Sequence, residues 1–263
     1  MKRTYWYLLI ITLVASVLRL ITLAKESIWL DEAFSVLYAS QSWQQILTNY
    51  ATDVHPPLFY LIQHIFYING TSEFAIRLFP ALCGILCIPV VYLIGKEALD
   101  ENSGLLMAAM VCLSEFAIMY SMEARMYTLL LLFTSSALYF WLRFQKDQSR
   151  TNIILFSVFS ALACWSHFFG IIPFLVLVLL LPRAIDIAES TVLTGLLCLP
   201  MLPAVIEMAS YQLSVTLTGL TGMSVITGTL WVIGGFYPVG MYVLTMLSFL
   251  GMIVLWKYKD VTT

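Results

Sequence analysis

The segment that decides the fold reads WLDEAFS at residues 29–35, DVHPPL at residues 53–58 and EFAIR at residues 73–77. These motifs place two acidic clusters, a histidine and an arginine between long apolar runs. Charged side chains are costly inside a bilayer, so this polar segment predicts a loop at a membrane surface. The apolar runs on either side predict the helices that hold the loop in place.

The composition excludes an ordinary soluble domain. Of 263 residues, 61% are hydrophobic and only 11% are charged, and the mean hydropathy is +0.91. Soluble domains have roughly 25% charged residues. The apolar runs are continuous, which predicts membrane-spanning helices rather than alternating strands. The net charge of −2 gives no indication of nucleic-acid binding. All five cysteines lie in apolar runs, so we expect neither a disulfide nor a metal cluster.

We predict an all-α polytopic membrane protein with about eight transmembrane helices, forming one module over residues 1–263. The predicted spans are residues 5–23, 74–99, 104–120, 126–142, 152–167, 170–181, 191–208 and 239–256. The first run could also be a signal peptide, but its length favours an uncleaved span. Residues 210–229 fit either a loop or a re-entrant segment.

The first loop, about residues 25–73, is predicted to contain juxtamembrane amphipathic helices. We expect these helices at residues 32–40, 42–51 and 58–68. The third helix follows two prolines, one of which suits a first helical turn. It is too short to span a bilayer, so we expect it to lie along the membrane surface.

The distribution of basic residues orients the chain, because cytoplasmic loops are enriched in Lys and Arg. With the N-terminus in the cytoplasm, nine of the 13 Lys and Arg residues are cytoplasmic and four are outside. This arrangement predicts two cytoplasmic termini and an outward first loop. The polar residues then expected at the outer face are Asp31, Glu32, Asp53, His55, Glu73, Arg77, Glu115, Glu123, Arg125, Tyr127, His167 and Glu207.

The acidic residues of the first loop have two interpretations. Asp31 or Glu32 could be a general base for a hydroxyl nucleophile or a metal ligand, and Asp53 a second acid. Alternatively, Asp31 and Glu32 cap the N-terminus of a helix and Asp53 caps a turn. His55 could donate to an anion in the first case and is part of the turn in the second.

The basic residues at the span ends also have two interpretations. The guanidinium groups of Arg77 and Arg125 suit a phosphate, or they extend to the membrane surface and pair with Glu73 or Glu123. If residues 123–127 are helical, Glu123 and Tyr127 share one face. His167 is either interfacial or part of the site.

Five motifs carry a family resemblance: WLDEA (29–33), DVHPPL (53–58), RLFPALCG (77–84), EARMY (123–127) and, more loosely, SHFFG (166–170). Together they resemble the GT-C class of membrane glycosyltransferases. The closest likeness is the branch of protein O-mannosyltransferases and bacterial aminoarabinose lipid A transferases. The resemblance covers about residues 1–185, and residues 210–263 match only as hydrophobic spans. Members of that branch usually continue well past this shared module.

The resemblance implies an inverting transferase that moves a hexosyl or pentosyl group from a polyprenyl-phosphate sugar to a hydroxyl acceptor. Asp31 would be the catalytic base and Asp53 the second catalytic acid. The remaining predicted residues would bind substrate: Glu32, His55, Arg77, Glu123, Arg125, Tyr127 and His167. The acceptor class (lipid, glycan or protein) is open, and so is a divalent cation, which no ligand spacing demands. We expect the site on the outer face of the cell membrane.

Two other functions remain open on the sequence. One is a catalytically inactive or truncated module that binds polyprenyl phosphate or a partner subunit. The other is a transporter of lipid-linked glycans, although transporters place their sites near the membrane midplane rather than at one face.

Overall fold

The computed structural model describes residues 2–48, 55–67, 72–203 and 205–206. Every regular element in these ranges is a helix, as expected for an all-α membrane protein. The chain divides into two units, Met1–Leu202 and Pro203–Thr263. The elements below all belong to the first unit, and the predicted span at residues 239–256 lies outside the described residues.

Eleven α-helices occur in the described part of the first unit, together with two 3₁₀ turns, at Phe168–Gly170 and Leu199–Met201. The helices are α1 (Lys2–Leu20), α2 (Leu30–Ala39), α3 (Trp43–Thr48), α4 (Leu58–Tyr67), α5 (Glu73–Ala98), α6 (Glu101–Leu113), α7 (Glu115–Ser121), α8 (Tyr127–Asp147), α9 (Arg150–Ser166), α10 (Ile171–Leu179) and α11 (Ala184–Cys198). The first loop thus contains three short helices, α2, α3 and α4, close to the predicted positions.

Four helices in the described part are long and apolar enough to cross a membrane. They are α1, α5, α8 and α11 with its following 3₁₀ turn. Helices α9 and α10, predicted as spans, are shorter. The predicted seventh span begins at Ala184 rather than at residue 191. The described residues therefore contain four spans, or five if α6 and α7 form one.

The predicted third span, residues 104–120, is broken into α6 and α7, which meet at an angle of 60°. Ser114 causes the break because its backbone is extended (φ −64°, ψ 116°). Its side chain accepts a hydrogen bond from the backbone N of Ala117 at 3.3 Å, which caps α7. A serine within an apolar run gives little indication of such a break, since the same residue also occurs inside spans.

Helix α8 continues past residue 142, the predicted end of the fourth span, to Asp147. Arg, Gln and Lys favour helix almost as well as Leu does, so polarity alone does not end the helix. It ends where Gln148 adopts a left-handed conformation (φ 52°). The turn between α8 and α9 therefore consists of Gln148 and Ser149.

The first loop packs onto the spans through its apolar side chains. Phe59 and Tyr60 of α4 are buried, and the Phe59 ring lies 5.7 Å from that of Phe79 on α5. Ile46 of α3 and Met126, just before α8, belong to the same cluster. This packing places α2 and the start of α8 next to each other.

Ion pairs join the helices at the opposite end of the first unit. Lys96 pairs with Glu101 at 2.8 Å, and Glu101 also accepts a hydrogen bond from Thr4 at 2.9 Å. Lys146 of α8 pairs with Glu97 at 2.8 Å. Lys96 and Lys146, two of the basic residues assigned to the cytoplasmic side, thus pair with acidic residues at the same end of α5.

Candidate active site

A buried ion pair fixes the start of α2. Arg77 Nε donates to Glu32 Oε1 at 2.7 Å, and Arg77 Nη2 donates to Glu32 Oε2 at 2.6 Å. Glu32 also accepts from the backbone N of Ala124 at 2.8 Å and from that of Trp29 at 3.3 Å. Its side chain is fully buried, and that of Arg77 is 5% exposed.

The remaining N–H groups of Arg77 bind the chain before α2. Nη1 donates to the carbonyl oxygens of Leu23 and Glu26 at 2.9 and 2.7 Å, and Nη2 donates to that of Ser27 at 3.1 Å. All five N–H donors of the guanidinium group are therefore used within the protein. The predicted substrate contacts of Arg77 and Glu32 do not fit this arrangement. The pair supports the site and has no donor left for a phosphate.

Asp31 lies on a different side of α2 from Glu32, because neighbouring helical residues project about 100° apart. Its side chain is 43% exposed, and Asp31 Oδ2 lies 4.0 Å from Arg125 Nη2. Arg125 Nη1 donates to the backbone oxygen of Asp31 at 3.2 Å and to Ser35 Oγ at 3.3 Å. Ser35, one turn after Asp31, was not predicted, although its i,i+4 spacing to Asp31 indicated a shared face.

Arg125 retains an unused donor. The residue is 6% exposed, and its Nε is buried without a hydrogen-bond partner among the described residues. Its guanidinium carbon lies 6.0 Å from the centre of the Tyr127 ring. A buried, unpartnered N–H costs free energy, so this nitrogen is free to donate to the acceptor atom of a ligand.

His167 contributes a second unused donor. It follows α9 in extended conformation (φ −159°, ψ 139°), and its Nδ1 accepts a hydrogen bond from the backbone N of Phe169 at 3.1 Å. The neutral ring therefore carries its proton on Nε2, which is buried without a partner in the described part of the chain. Burial lowers the pKa of His167 to about 3, with further contributions from His55 and Arg125. The ring remains neutral near pH 7.

Ring contacts join two further predicted residues, His55 and Tyr127, to His167. The His55 ring lies 5.3 Å from the His167 ring, and the Tyr127 ring lies 6.3 Å from it. Tyr127 also meets Tyr120 edge to face at 5.0 Å. His55 and Tyr127 thus line the same region as Arg125.

Glu123 lies in the turn between α7 and α8, so residues 123–127 are not one helix and the condition for a face shared with Tyr127 is not met. Its backbone oxygen accepts a hydrogen bond from the backbone N of Arg125 at 2.7 Å. Burial and, to a smaller extent, the negative charge of Glu32 raise the pKa of the Glu123 carboxyl group to about 7. The turn therefore presents a carboxyl group that changes protonation near neutral pH.

The structure thus brings Asp31, His55, Arg125, Tyr127 and His167 together. Asp53 and Glu207 lie outside the described residues, and Glu73 and Glu115 occupy first turns of α5 and α7. No group of three His, Cys, Asp or Glu side chains in the described part is arranged for a metal ion. Both Glu32 oxygens accept N–H donors, so Glu32 is not available as a ligand to a divalent cation.

Solved structures share this fold. Two are of the oligosaccharyltransferase of Archaeoglobus fulgidus, one in complex with Zn and sulfate and one tethered to an acceptor peptide containing the NVT sequon. The first is 16% identical, with a TM-score of 0.55 over 95% of this chain and 40% of that chain. The second is 16% identical, with a TM-score of 0.57 over 97% of this chain and 38% of that chain. This chain thus spans well under half of those proteins.

The sequence itself matches a family model. Residues 54–208, more than half of the chain, match the family described as dolichyl-phosphate-mannose-protein mannosyltransferase. No curated protein matches the sequence. The matched region contains the α7–α8 turn, Arg125 and His167, and the apolar helices make the chain an integral membrane protein. The chain therefore belongs to the dolichyl-phosphate-mannose-protein mannosyltransferase family, within the GT-C class.

Proposed function

We propose that this protein is an inverting glycosyltransferase that moves a sugar from a polyprenyl-phosphate donor to a hydroxyl acceptor. Family membership supports sugar transfer, and the family's description names a lipid-phosphate sugar as the donor and a protein as the acceptor. For this chain the sugar, hexosyl or pentosyl, and the acceptor, lipid, glycan or protein, are to be determined by assay.

One observation carries the proposal: Arg125 Nε and His167 Nε2, two buried donors without partners among the described residues, lie in the same region as the exposed carboxylate of Asp31. A phosphate group supplies the acceptor oxygens that both donors need. A carboxylate next to that phosphate is placed to receive a proton from an attacking hydroxyl.

In the proposed reaction the acceptor oxygen attacks the anomeric carbon and forms the new glycosidic bond. The bond between this carbon and the phosphate oxygen breaks on the opposite side, which inverts the configuration. The acceptor proton passes to Asp31, and the polyprenyl phosphate leaves with one more negative charge than it had as the donor. Arg125 and neutral His167 stabilise that charge by donating hydrogen bonds.

The other predicted residues have supporting roles in this proposal. Asp53 remains the proposed second acid of the first loop, and His55 and Tyr127 border the sugar or the phosphate. Glu32 and Arg77 hold Asp31 in place. The grouping of basic side chains at the far end of the first unit supports an outer-face site, with cytoplasmic termini, in the cell membrane.

Asp31→Asn tests the proposal. We would assay purified protein with polyprenyl-phosphate mannose and polyprenyl-phosphate aminoarabinose, each with lipid, glycan and peptide acceptors. Transfer is expected in the wild type and to fall at least about 100-fold in Asp31→Asn, the scale of general-base catalysis. The matched control is Glu26→Gln, which neutralises an exposed carboxylate of the same loop and should keep full activity.

Two outcomes would reject the mechanism. Undiminished turnover by Asp31→Asn would show that Asp31 is not the base. Wild-type protein that binds polyprenyl phosphate but transfers sugar to none of the acceptors would instead favour a binding module without catalytic activity.

A further inference from the structure

Arg19 is a buried charge that the proposed reaction does not use. It lies in the last turn of the membrane-spanning helix α1 and is completely inaccessible to solvent. Among the described residues it makes no ion pair, although a charge at membrane depth usually pairs with an opposite one. Its partners are instead neutral oxygen atoms.

Those oxygens belong mainly to the broken helix α6–α7. Arg19 Nη2 donates to the carbonyl oxygen of Val111 at 3.2 Å, and Nη1 donates to that of Cys112 at 3.4 Å. Nη1 also reaches the carbonyl oxygen of Ala15 at 3.3 Å, and Nε donates to Ser121 Oγ at 3.1 Å. One guanidinium group thus contacts both the end of α6 and the end of α7.

The break explains why a cation is needed there. The last carbonyl groups of a helix have no intrahelical partner, and lipid supplies no donors to replace one. Val111 and Cys112 lie in the last turn of α6, directly before the extended Ser114. Arg19 provides the missing donors, and its positive charge is favourable next to the negative end of the helix dipole.

Helix α5 packs closely against Arg19 and Ser121. A Cβ atom added at Gly84 of α5 would lie 2.0 Å from Ser121 Oγ and 3.2 Å from Arg19 Nε. Thr22 Oγ1, just after α1, lies 2.9 Å from the Met122 sulfur atom. Arg19 therefore connects α1 with α6 and α7, beside α5 and immediately before the turn that contains Glu123 and Arg125.

We infer that Arg19 is a positioning residue. It stabilises the break between α6 and α7, so that the turn at residues 122–126 keeps Arg125 beside Asp31. This inference rests on the proposed function for its effect on substrate, and on the geometry alone for its effect on the turn. Arg19 itself touches no reacting atom.

Hydrogen–deuterium exchange on the full chain in nanodiscs tests the effect on the turn. In Arg19→Gln, amides 115–124 should lose at least about tenfold in protection, because local opening becomes easier there, whereas α8 stays protected. The backbone N of Ala124, which donates to Glu32, is the most informative reporter. Arg19→Lys should be intermediate, since an ammonium group keeps the charge but not the planar set of donors. The matched control, Ser16→Ala on the same helix, should exchange as the wild type does.

Binding of sugar-free polyprenyl phosphate provides the second readout. A misplaced Arg125 should weaken this binding by about 10- to 100-fold in Arg19→Gln, the scale of a displacement of about 1 Å. Unchanged exchange at residues 115–124 would overturn the inference, and so would an equal loss of protection in every helix. If Arg19→Gln fails to fold, Ser121→Ala is judged by the same two outcomes; it removes the acceptor of Arg19 Nε together with the hydrogen bond that Ser121 Oγ donates to the backbone oxygen of Ala117. Exchange needs no donor or turnover, so its result is independent of whether the proposed transfer reaction is correct.

Discussion

The clearest quantitative prediction concerns Asp31 and Glu32, two neighbouring carboxylates that the structure places in opposite environments. Glu32 is completely buried and accepts four N–H donors, two of them from Arg77. Glu32→Gln keeps the shape but turns an N–H donor toward Arg77 and leaves the guanidinium charge unpaired. Removing one partner of a buried pair costs about 3–5 kcal/mol.

That cost can be measured as a change in melting temperature. For a protein of this size, about 1 kcal/mol lowers Tm by roughly 2–4 °C, so Glu32→Gln should lower Tm by about 6–20 °C. Asp31→Asn should change it by less than about 4 °C, since a half-exposed pair contributes at most about 1 kcal/mol. Thermal unfolding of each variant in the same detergent, followed by size-exclusion fluorescence, provides the comparison.

A double variant distinguishes the effect of losing the Glu32–Arg77 contact from the effect of leaving the Arg77 charge unpaired. Glu32→Leu combined with Arg77→Met removes both charges, and apolar replacements of a buried pair are often neutral. We therefore expect the double variant to recover only part of the stability lost in Glu32→Gln, because the carbonyl groups that Arg77 binds and the two backbone amides that Glu32 accepts lose these partners. A Glu32→Gln protein that melts with the wild type, or a double variant less stable than Glu32→Gln, would refute this account of the pair.

Three further changes test the turn, the histidine and the helix packing. Burial raises the pKa of Glu123 to about 7, so the native state binds its proton more tightly than the unfolded chain, and stability should fall as pH rises from about 4.5 to 7. In Glu123→Gln this decline should be absent from a plot of Tm against pH, and parallel profiles would contradict it. Burial lowers the pKa of His167 to about 3, so stability should fall as pH decreases from about 6.5 to 3, and His167→Gln should flatten that fall. A Cβ at Gly95 would lie 2.7 Å from Gly104 Cα, so Gly95→Val should lower Tm; Gly195→Ala, with nothing within 4 Å, should not.

The sequence predicted the helical architecture well because the lengths of the apolar runs follow the thickness of the bilayer. It placed the three short helices of the first loop and grouped Asp31, Arg125 and His167 on one face. It missed the break at Ser114 and the continuation of α8 to Asp147 because both depend on local capping rather than on hydropathy. Turn geometry between α7 and α8, which decides where Glu123 points, was equally inaccessible.

The role of Arg77 shows what a sequence pattern leaves undetermined. Its position at the start of a span fitted both a phosphate-binding residue and a partner for an acidic side chain. The choice depends on the carbonyl groups of Leu23, Glu26 and Ser27, which only the folded chain brings within reach. Composition and spacing contain no information on backbone groups from a distant segment.

The three buried arginines of the described residues differ in one respect that supports the proposed phosphate site. Every nitrogen of Arg19 and of Arg77 has a partner within the protein, and only Arg125 has a buried nitrogen that lacks one. A guanidinium group whose nitrogen atoms are hydrogen-bonded within the protein stabilises the fold. A buried donor without a partner destabilises the fold, and a ligand that accepts its hydrogen bond removes that penalty. Substitutions at Arg19 and Arg77 should therefore weaken phosphate binding only if they also lower local or global stability. Arg125→Lys should weaken it while Tm changes little, because the ammonium group keeps the charge and loses the directed Nε donor.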